Sequence, residues 1–344
     1  MNFEFSSDQM LLRDQARKFL ENEESVKKAR EVLEGDQTHD ESLWRSVVEM
    51  GWTATTIPEE FDGLGLGYLE LCVIAEELGR SLAPTPFSSS VYLATEALIN
   101  QGSKEQHRKY LPKLAAGEIV GTLAHTETTN SPSPENLNCE LSNNKLNGIK
   151  IAVTDGDVAN FAVVSAKEGD KVVLGLVDLA SKGVEITSQN TLDPSRSHAS
   201  IKFKDADAEI LGSSQDGWVA LQEILDHAAV LFAFEQLGGA EACMDMAKEY
   251  AMGRFAFGRP IASFQAIKHK IADMYIAVEL ARSNCYFGAW ALSTDAPELA
   301  TAAATARVSA SKAFHECSKE NIQTHGGMGF TWEFDCHLYY RRCR

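Results

Sequence analysis

Two segments carry residue types suited to holding a flat, anionic ligand. In Arg254-Phe255-Ala256-Phe257-Gly258-Arg259-Pro260, the glycine and proline break a helix and display two guanidiniums beside two phenyl rings at an exposed corner. A guanidinium offers a planar fork to a pyrophosphate, and a phenyl ring offers a stacking face. In Gln323-Thr324-His325-Gly326-Gly327-Met328-Gly329-Phe330-Thr331-Trp332-Glu333, three glycines follow a long helical stretch. One C-cap does not need three, and glycine lets a ligand approach the backbone closely. A third position suits proton transfer: Glu235 has Leu231, Phe232, Gly238 and Gly239 three and four positions away on a helix. A carboxyl set among apolar or tiny groups is driven toward the range of a general base. Each has a structural alternative, respectively a helix corner with a surface ion pair, a mobile loop, and a carboxylate paired with a neighbouring helix.

Other constellations argue against competing chemistries. Gly63-Leu64-Gly65-Leu66-Gly67 follows Pro58-Glu59-Glu60, not a strand, so it reads as a helix-entry turn and not a dinucleotide fingerprint. His269 with Asp273, and His315 with Glu316 and Cys317, lack the second pair of ligands that a metal needs. No GxSxG elbow is present. The seven cysteines (72, 139, 243, 285, 317, 336 and 343) are dispersed without a CxxC pair and read as reduced thiols.

The elements that must position these residues change in texture along the chain. Ser6 or Ser7 can cap a helix carrying Met10, Leu11, Ala16, Phe19 and Leu20, and helices are predicted over 41–50, 68–82, 91–100 and 103–116. From 119 to 212 short alternating runs are punctuated by Asn143-Asn144, Asn147-Gly148, Glu168-Gly169-Asp170 and Ser181-Lys182-Gly183, with strands predicted over 145–154, 161–166, 171–177 and 199–203. Long helices over 219–252, 264–292 and 298–324 then make a bundle. The fold class is therefore mainly α with a central β domain: an N-terminal helical domain (1–118), a small antiparallel β barrel or sandwich (119–213) and a C-terminal four-helix-type bundle (214–344). The bundle's long apolar helices call for partners, so an oligomer is expected.

With 344 residues, 44% of them hydrophobic, the chain can bury a sizeable core. A formal charge of −17 repels polyanions, so neither nucleic acid nor an anionic membrane is expected as a partner. The start, Met1-Asn2-Phe3-Glu4, lacks the layout of a secretory signal, and no run approaches the roughly 20 apolar residues that span a bilayer. A cytoplasmic location is expected.

Taken together, these pieces resemble the acyl-CoA dehydrogenase family over essentially the whole chain. The resemblance is carried by residues 57–67, Gly121-Thr122-Leu123-Ala124-His125-Thr126-Glu127, Asn147-Gly148-Ile149-Lys150-Ile151-Ala152-Val153-Thr154, Arg254 to Pro260 with Phe264-Gln265-Ala266, and Gln323 to Glu333. It implies noncovalent FAD, removal of two hydrogens across the Cα–Cβ bond of an acyl-CoA thioester, and transfer of the electrons to an electron-transfer flavoprotein. It further implies that Leu123, His125 and Thr126 line the flavin ring and that the strand ending at Thr154 covers its other side. Arg254, Phe257, Gln265, Gln323, Gly326 and Gly327 are implied to hold the pyrophosphate and adenosine, partly across a subunit boundary.

This sequence departs from the family pattern at three places. Thr128-Thr129-Asn130-Ser131-Pro132-Ser133-Pro134-Glu135 replaces a Gly-rich, Ser-ended loop, and Ala152 stands where an aromatic residue usually packs on the flavin. Stacking there is expected to be looser or differently filled. The family's base lies either in a C-terminal segment beyond Arg344 or early in the first long helix of the bundle, where Ala228 falls. Glu235, about two turns further on, is the candidate. Two other readings share the scaffold. One is a noncatalytic subunit supplying part of the FAD site in a heterotetramer with a homologous chain, as in the heteromeric steroid-degrading members that the sequence also resembles. The other is a flavin oxidase or monooxygenase.

Overall fold

The computed structural model describes residues 5–212 and 216–344. The acidic first four residues and the expected domain boundary at 213/214 lie outside them. The described residues form two compact units, one drawn from 1–31, Tyr68–Ala83 and Ala229–Arg344 and the other from Val32–Gly67 and Pro84–Ala228. Helical N- and C-terminal regions flank a central β region in sequence, as the fold class requires.

In the first unit, α1 (Ser7–Asn22) begins at a capping box in which Ser6 and Gln9 satisfy each other's backbone N–H groups. In α4 (Tyr68–Arg80) every residue from 71 to 79 is buried, Glu76 and Glu77 included. The long helices are α7 (Gly217–Gly253, in this unit from 229), α8 (Gln265–Ser293) and α9 (Leu299–His325), followed by the short α10 (Cys336–Arg342). Glycine brings two of them together: a Cβ on Gly238 of α7 would lie 1.9 Å from the Glu76 carbonyl oxygen, and one on Gly79 of α4 would lie 2.0 Å from that of Glu235. Charges are paired between helices, around the buried Glu76 and Glu77. Arg282 of α8 reaches Glu76 at 2.7 Å and Glu241 at 3.0 Å, Arg80 reaches Glu241 at 3.1 Å and Asp245 at 2.7 Å, and Arg17 reaches Glu77 at 2.7 Å. Burial pushes the Glu76 carboxyl above its ordinary value, against the pull of Arg282. A carboxylate so placed is tolerable only because it is paired.

α7 corrects one expectation drawn from the sequence. An 18-residue window within it has a mean hydropathy of 1.2, long and apolar enough to cross a membrane, yet half of that window is buried inside the protein. The core of a globular protein accounts for that composition equally well.

In the second unit, α3 (Glu41–Glu49), capped by Asp40, leads into the 52–67 connector. The glycine run of that connector is a turn, as expected. Leu64 and Leu66 donate their N–H groups to the carbonyls of Ala54 and Thr55, and among the described residues no strand precedes it. Where a helix over 91–100 is expected, Ser88–Thr95 is π-helical and passes into α5 (Glu96–Gln101). A wider turn is a common mark of a functional segment. α6 (Lys104–Ala115) starts at the Ser103–Gln106 capping box.

The β region comprises β1 (Gly121–Ala124), β2 (Glu140–Ser142), β3 (Lys145–Thr154), β4 (Phe161–Glu168), β5 (Lys171–Asp178), β6 (Val184–Ser188) and β7 (His198–Ile210). Pairings run β4–β2–β3–β7–β5 and return from β5 to β4, so five strands close a barrel, with β1 added on β4 and β6 on β7. The ladders are antiparallel except for the short parallel pairings of β4 with β1 and β2. Asn143 and Asn144, both at positive φ, make the tight β2–β3 turn. The β3–β7 ladder slips between Lys150 and Val153, where Ala152 takes φ 50°.

Candidate active site

The expected flavin-lining residues gather where β1 and β3 run side by side in the second unit. Leu123 is buried in β1, and His125 and Thr126 follow where that strand has ended. The Thr126 carbonyl accepts from Ile151 N–H at 2.8 Å, and Thr122 Oγ1 donates to the Thr154 carbonyl at 2.7 Å, which brings Thr154 beside the β1 segment. At the bulge, the Ala152 N–H donates to Gln189 Oε1 at 3.0 Å, so Gln189 accompanies the alanine that stands in the aromatic position.

Burial draws the His125 imidazole down to about 4, and the nearby Lys150 charge adds to the effect, so at neutral pH the ring is uncharged. Two further ionisable groups here were not singled out from the sequence. Lys150 of β3 is wholly buried and paired with Glu127 at 2.8 Å. A strand lysine normally reads as solvent-facing, so only its place in the resembling motif could have marked it. Asp155 is buried, and it accepts from Ser89 Oγ at 2.6 Å and Ser197 Oγ at 3.3 Å. Burial pushes its carboxyl up to about 6, against those hydrogen bonds.

His125 and Asp155 make opposite contributions to stability as pH changes. The lowered His125 contributes stability that is present above pH 6.5 and is lost as pH falls through about 4. The raised Asp155 contributes stability that is present below pH 3.8 and is lost as pH rises through about 6. Each amounts to something on the order of 3 kcal/mol and they offset one another. Relative to the unmodified chain, Asp155→Asn is expected to make stability climb between pH 4 and 6, and His125→Gln to make it fall. Urea denaturation across that range checks both signs.

The expected pyrophosphate and adenosine residues lie in the first unit. Arg254 follows α7 and opens a two-rung hairpin, β8 (Phe255–Ala256) with β9 (Arg259–Pro260), whose tip is Phe257 at φ 53° and Gly258 at φ 80°. Phe257 is 95% exposed. Arg259 lies 4.2 Å over the ring of Phe264, the residue before Gln265 at the start of α8. Gln323 is exposed on the last turn of α9, which ends at Gly326 with φ 61° and ψ −137°, a conformation glycine adopts readily. The hairpin and this turn are joined: Tyr250, whose carbonyl accepts from Arg254 N–H, stacks on His325 with ring centroids 4.0 Å apart.

This surface fits a dinucleotide. A Cβ at Gly258, Gly326 or Gly327 would meet nothing within 4 Å, so the backbone there is open to a ligand. An exposed arginine and an almost fully exposed phenyl ring stand beside it, the donor and the flat face that a pyrophosphate and an adenine require.

Glu235 lies on α7, 7% exposed; of its helical neighbours Leu231, Gly238 and Gly239 are buried and Phe232 is half-buried. Among the described residues no cluster of His, Cys, Asp and Glu could hold a metal ion. All seven cysteines are free, and all but Cys343 are buried.

Comparison with known proteins accords with this arrangement. Residues 6–118 match the acyl-CoA dehydrogenase N-terminal domain and residues 215–344 the acyl-CoA dehydrogenase C-terminal domain. The chain is 34% identical to the acyl-CoA dehydrogenase IpdE2 of Mycobacterium tuberculosis, over 91% of its own length and 83% of that protein's. It is 30% identical to the mitochondrial isovaleryl-CoA dehydrogenase of Solanum tuberosum, over 88% and 77%. Among solved structures, the ChsE4–ChsE5 complex of Mycobacterium tuberculosis aligns with a TM-score of 0.91 at 26% identity, covering 100% of this chain and 93% of the other. With both terminal domains matched and relatives similar across most of their lengths, the chain belongs to the acyl-CoA dehydrogenase family.

Proposed function

We propose that the protein is an FAD-dependent acyl-CoA dehydrogenase that introduces a Cα–Cβ double bond into an acyl-CoA thioester and delivers the electrons to an electron-transfer flavoprotein. The observation that carries the reading is the junction of the Arg254–Phe257 hairpin with the open glycine turn through the Tyr250–His325 stack. In this reading Arg254, Phe257, Gln265, Gln323, Gly326 and Gly327 hold the nucleotide end of the cofactor. Leu123, His125, Thr126 and Thr154 line its ring, and the uncharged His125 adds no cationic charge there. Glu235, buried on α7, takes the α-proton. FAD, when bound, supplies the acceptor for the β-hydrogen as hydride.

The oligomeric arrangement belongs to the same proposal. Between α8 and α9 lies an open groove of about 680 Å³ lined by Ile276, Leu280, Ala304 and Val308 and edged by Asp273 and Lys312. Val308 is 70% exposed and Leu280 61%, an apolar surface suited to burial against another copy that offers the same charges in return.

The test is visible absorption spectroscopy of the purified chain, titrated anaerobically with FAD and then with a panel of acyl-CoA thioesters. Resolved flavin bands that bleach with a thioester are expected. Failure to take up FAD, with an unmoved melting temperature, would overturn the reading. Rapid reaction of the reduced flavin with oxygen would replace dehydrogenase with oxidase or monooxygenase.

A further inference from the structure

The geometry points to Lys150 as a positioning residue for the flavin-facing segment 123–127: its ammonium, sealed beneath that segment, fixes the main chain that is to meet the flavin ring. The inference rests on the FAD reading above and adds a residue to it.

β1 ends at Ala124, and the three residues that follow retain one backbone ladder bond, from Ile151 N–H to the Thr126 carbonyl. Backbone that leaves a sheet inside a protein must find its partners elsewhere. Lys150 reaches one of these backbone groups, the His125 carbonyl, and anchors the segment through the Glu127 side chain. Its Nζ donates to Glu127 Oε1 at 2.8 Å, to the His125 carbonyl at 3.5 Å and to Ser165 Oγ of β4 at 3.1 Å, so its three N–H donors meet three acceptors. Glu127 is equally committed. It accepts from Asn138 N–H at 2.6 Å and Cys139 N–H at 3.0 Å, which fastens the chain entering β2 to the same point. Burial pushes the Glu127 carboxyl up, but the bonds from Lys150 and from these backbone groups prevail and hold it below the usual carboxylate range.

The position of Lys150 along β3 matters as much as its contacts. The ladder slips immediately after it, and the displaced stretch carries Ala152 and leads to Thr154. Ser200 Oγ donates to the Lys150 carbonyl at 3.2 Å and holds the residue at the edge of that slip. One side chain thus ties the segment bearing His125 and Thr126 to the strand that ends at Thr154. A buried ion pair is a poor source of net stability, but here it favours one arrangement, because a one-residue slip of β3 would turn Lys150 to the other face and leave Glu127 without its partner.

The test compares Lys150→Met with the unmodified chain in FAD affinity, the resolution of the bound flavin's visible bands, and the pH midpoint of the His125 ring by NMR. Weakening of FAD binding by roughly tenfold or more, blurred bands and a His125 midpoint moved up from about 4 are expected. Should Lys150→Met fail to fold, Lys150→Gln, which keeps amide donors without the charge, takes its place and is expected to show the same changes in smaller measure. If the unmodified chain binds FAD and the folded variant binds it equally with an unaltered spectrum, Lys150 is only a structural residue and the inference falls. If the unmodified chain takes up no FAD, the functional reading falls and this inference with it.

Discussion

Gly238→Ala is expected to destabilise the helical unit by about 3 kcal/mol or more, seen as a large drop in melting temperature. The added methyl would sit 1.9 Å from the Glu76 carbonyl oxygen and 2.9 Å from the Arg80 nitrogen, and both are main-chain atoms of α4 that cannot swing aside. Relief requires α4 and α7 to move apart, which would also stretch the Arg80–Glu241 contact and separate Glu76 from Glu241, the two carboxylates that Arg282 bridges. Gly253→Ala is the matched control. It adds the same methyl at the end of the same helix, where nothing lies within 4 Å, and is expected to be neutral or slightly stabilising. Equal melting temperatures for the two variants would show that the helix contact is soft.

Glu235→Gln is expected to lower kcat by about 10²- to 10⁴-fold, the usual contribution of a positioned general base. Glutamine keeps the shape and one acceptor of the side chain but cannot take a proton, so FAD affinity and melting temperature should stay near those of the unmodified chain. Bleaching of the bound flavin by acyl-CoA should become correspondingly slow. An unchanged kcat would assign the α-proton to another carboxylate and leave Glu235 as a packing residue of α7.

The helices were legible from their apolar spacing, and some ends also carry chemical punctuation. Ser103 with Gln106 forms the capping box its spacing announces, Ser6 caps α1 as one of two expected serines, and α8 and α9 fall within a residue of their expected bounds. Strands bounded by Asn143-Asn144 and Gly169 were equally readable, since those turns require positive φ. β1 was not: its four residues are buried on both faces, so Gly121-Thr122-Leu123-Ala124 shows no alternation. β2 and β6 were missed because one has three residues and the other has no buried face. The π-helical turn at Ser88–Thr95 left no mark in a pattern that can be read only as helical or not. In the site, the hairpin and the glycine turn could be proposed from residue type alone, whereas their junction depends on Tyr250, which lies in a different stretch of sequence from His325. The Lys150–Glu127 pair stayed hidden for a similar reason: the partners are 23 residues apart, and Lys150, between Ile149 and Ile151, reads as the outward position of an alternating strand.

The interhelical arginines bear on how the bundle meets heat and salt. Arg282, Arg80 and Arg17 with Glu76, Glu77, Glu241 and Asp245 form an ionic lattice in which Glu76 and Glu77 are buried and the other five side chains keep some contact with solvent, Asp245 most of all. Hydration of ions grows less favourable on warming, so the penalty for withdrawing these groups from water shrinks as temperature climbs. Dissolved electrolyte screens surface ions far more than enclosed ones. The lattice should therefore hold best where apolar burial ceases to strengthen, and brine should slacken its outer edge at Asp245 before it reaches the buried pairs of Glu76 and Glu77.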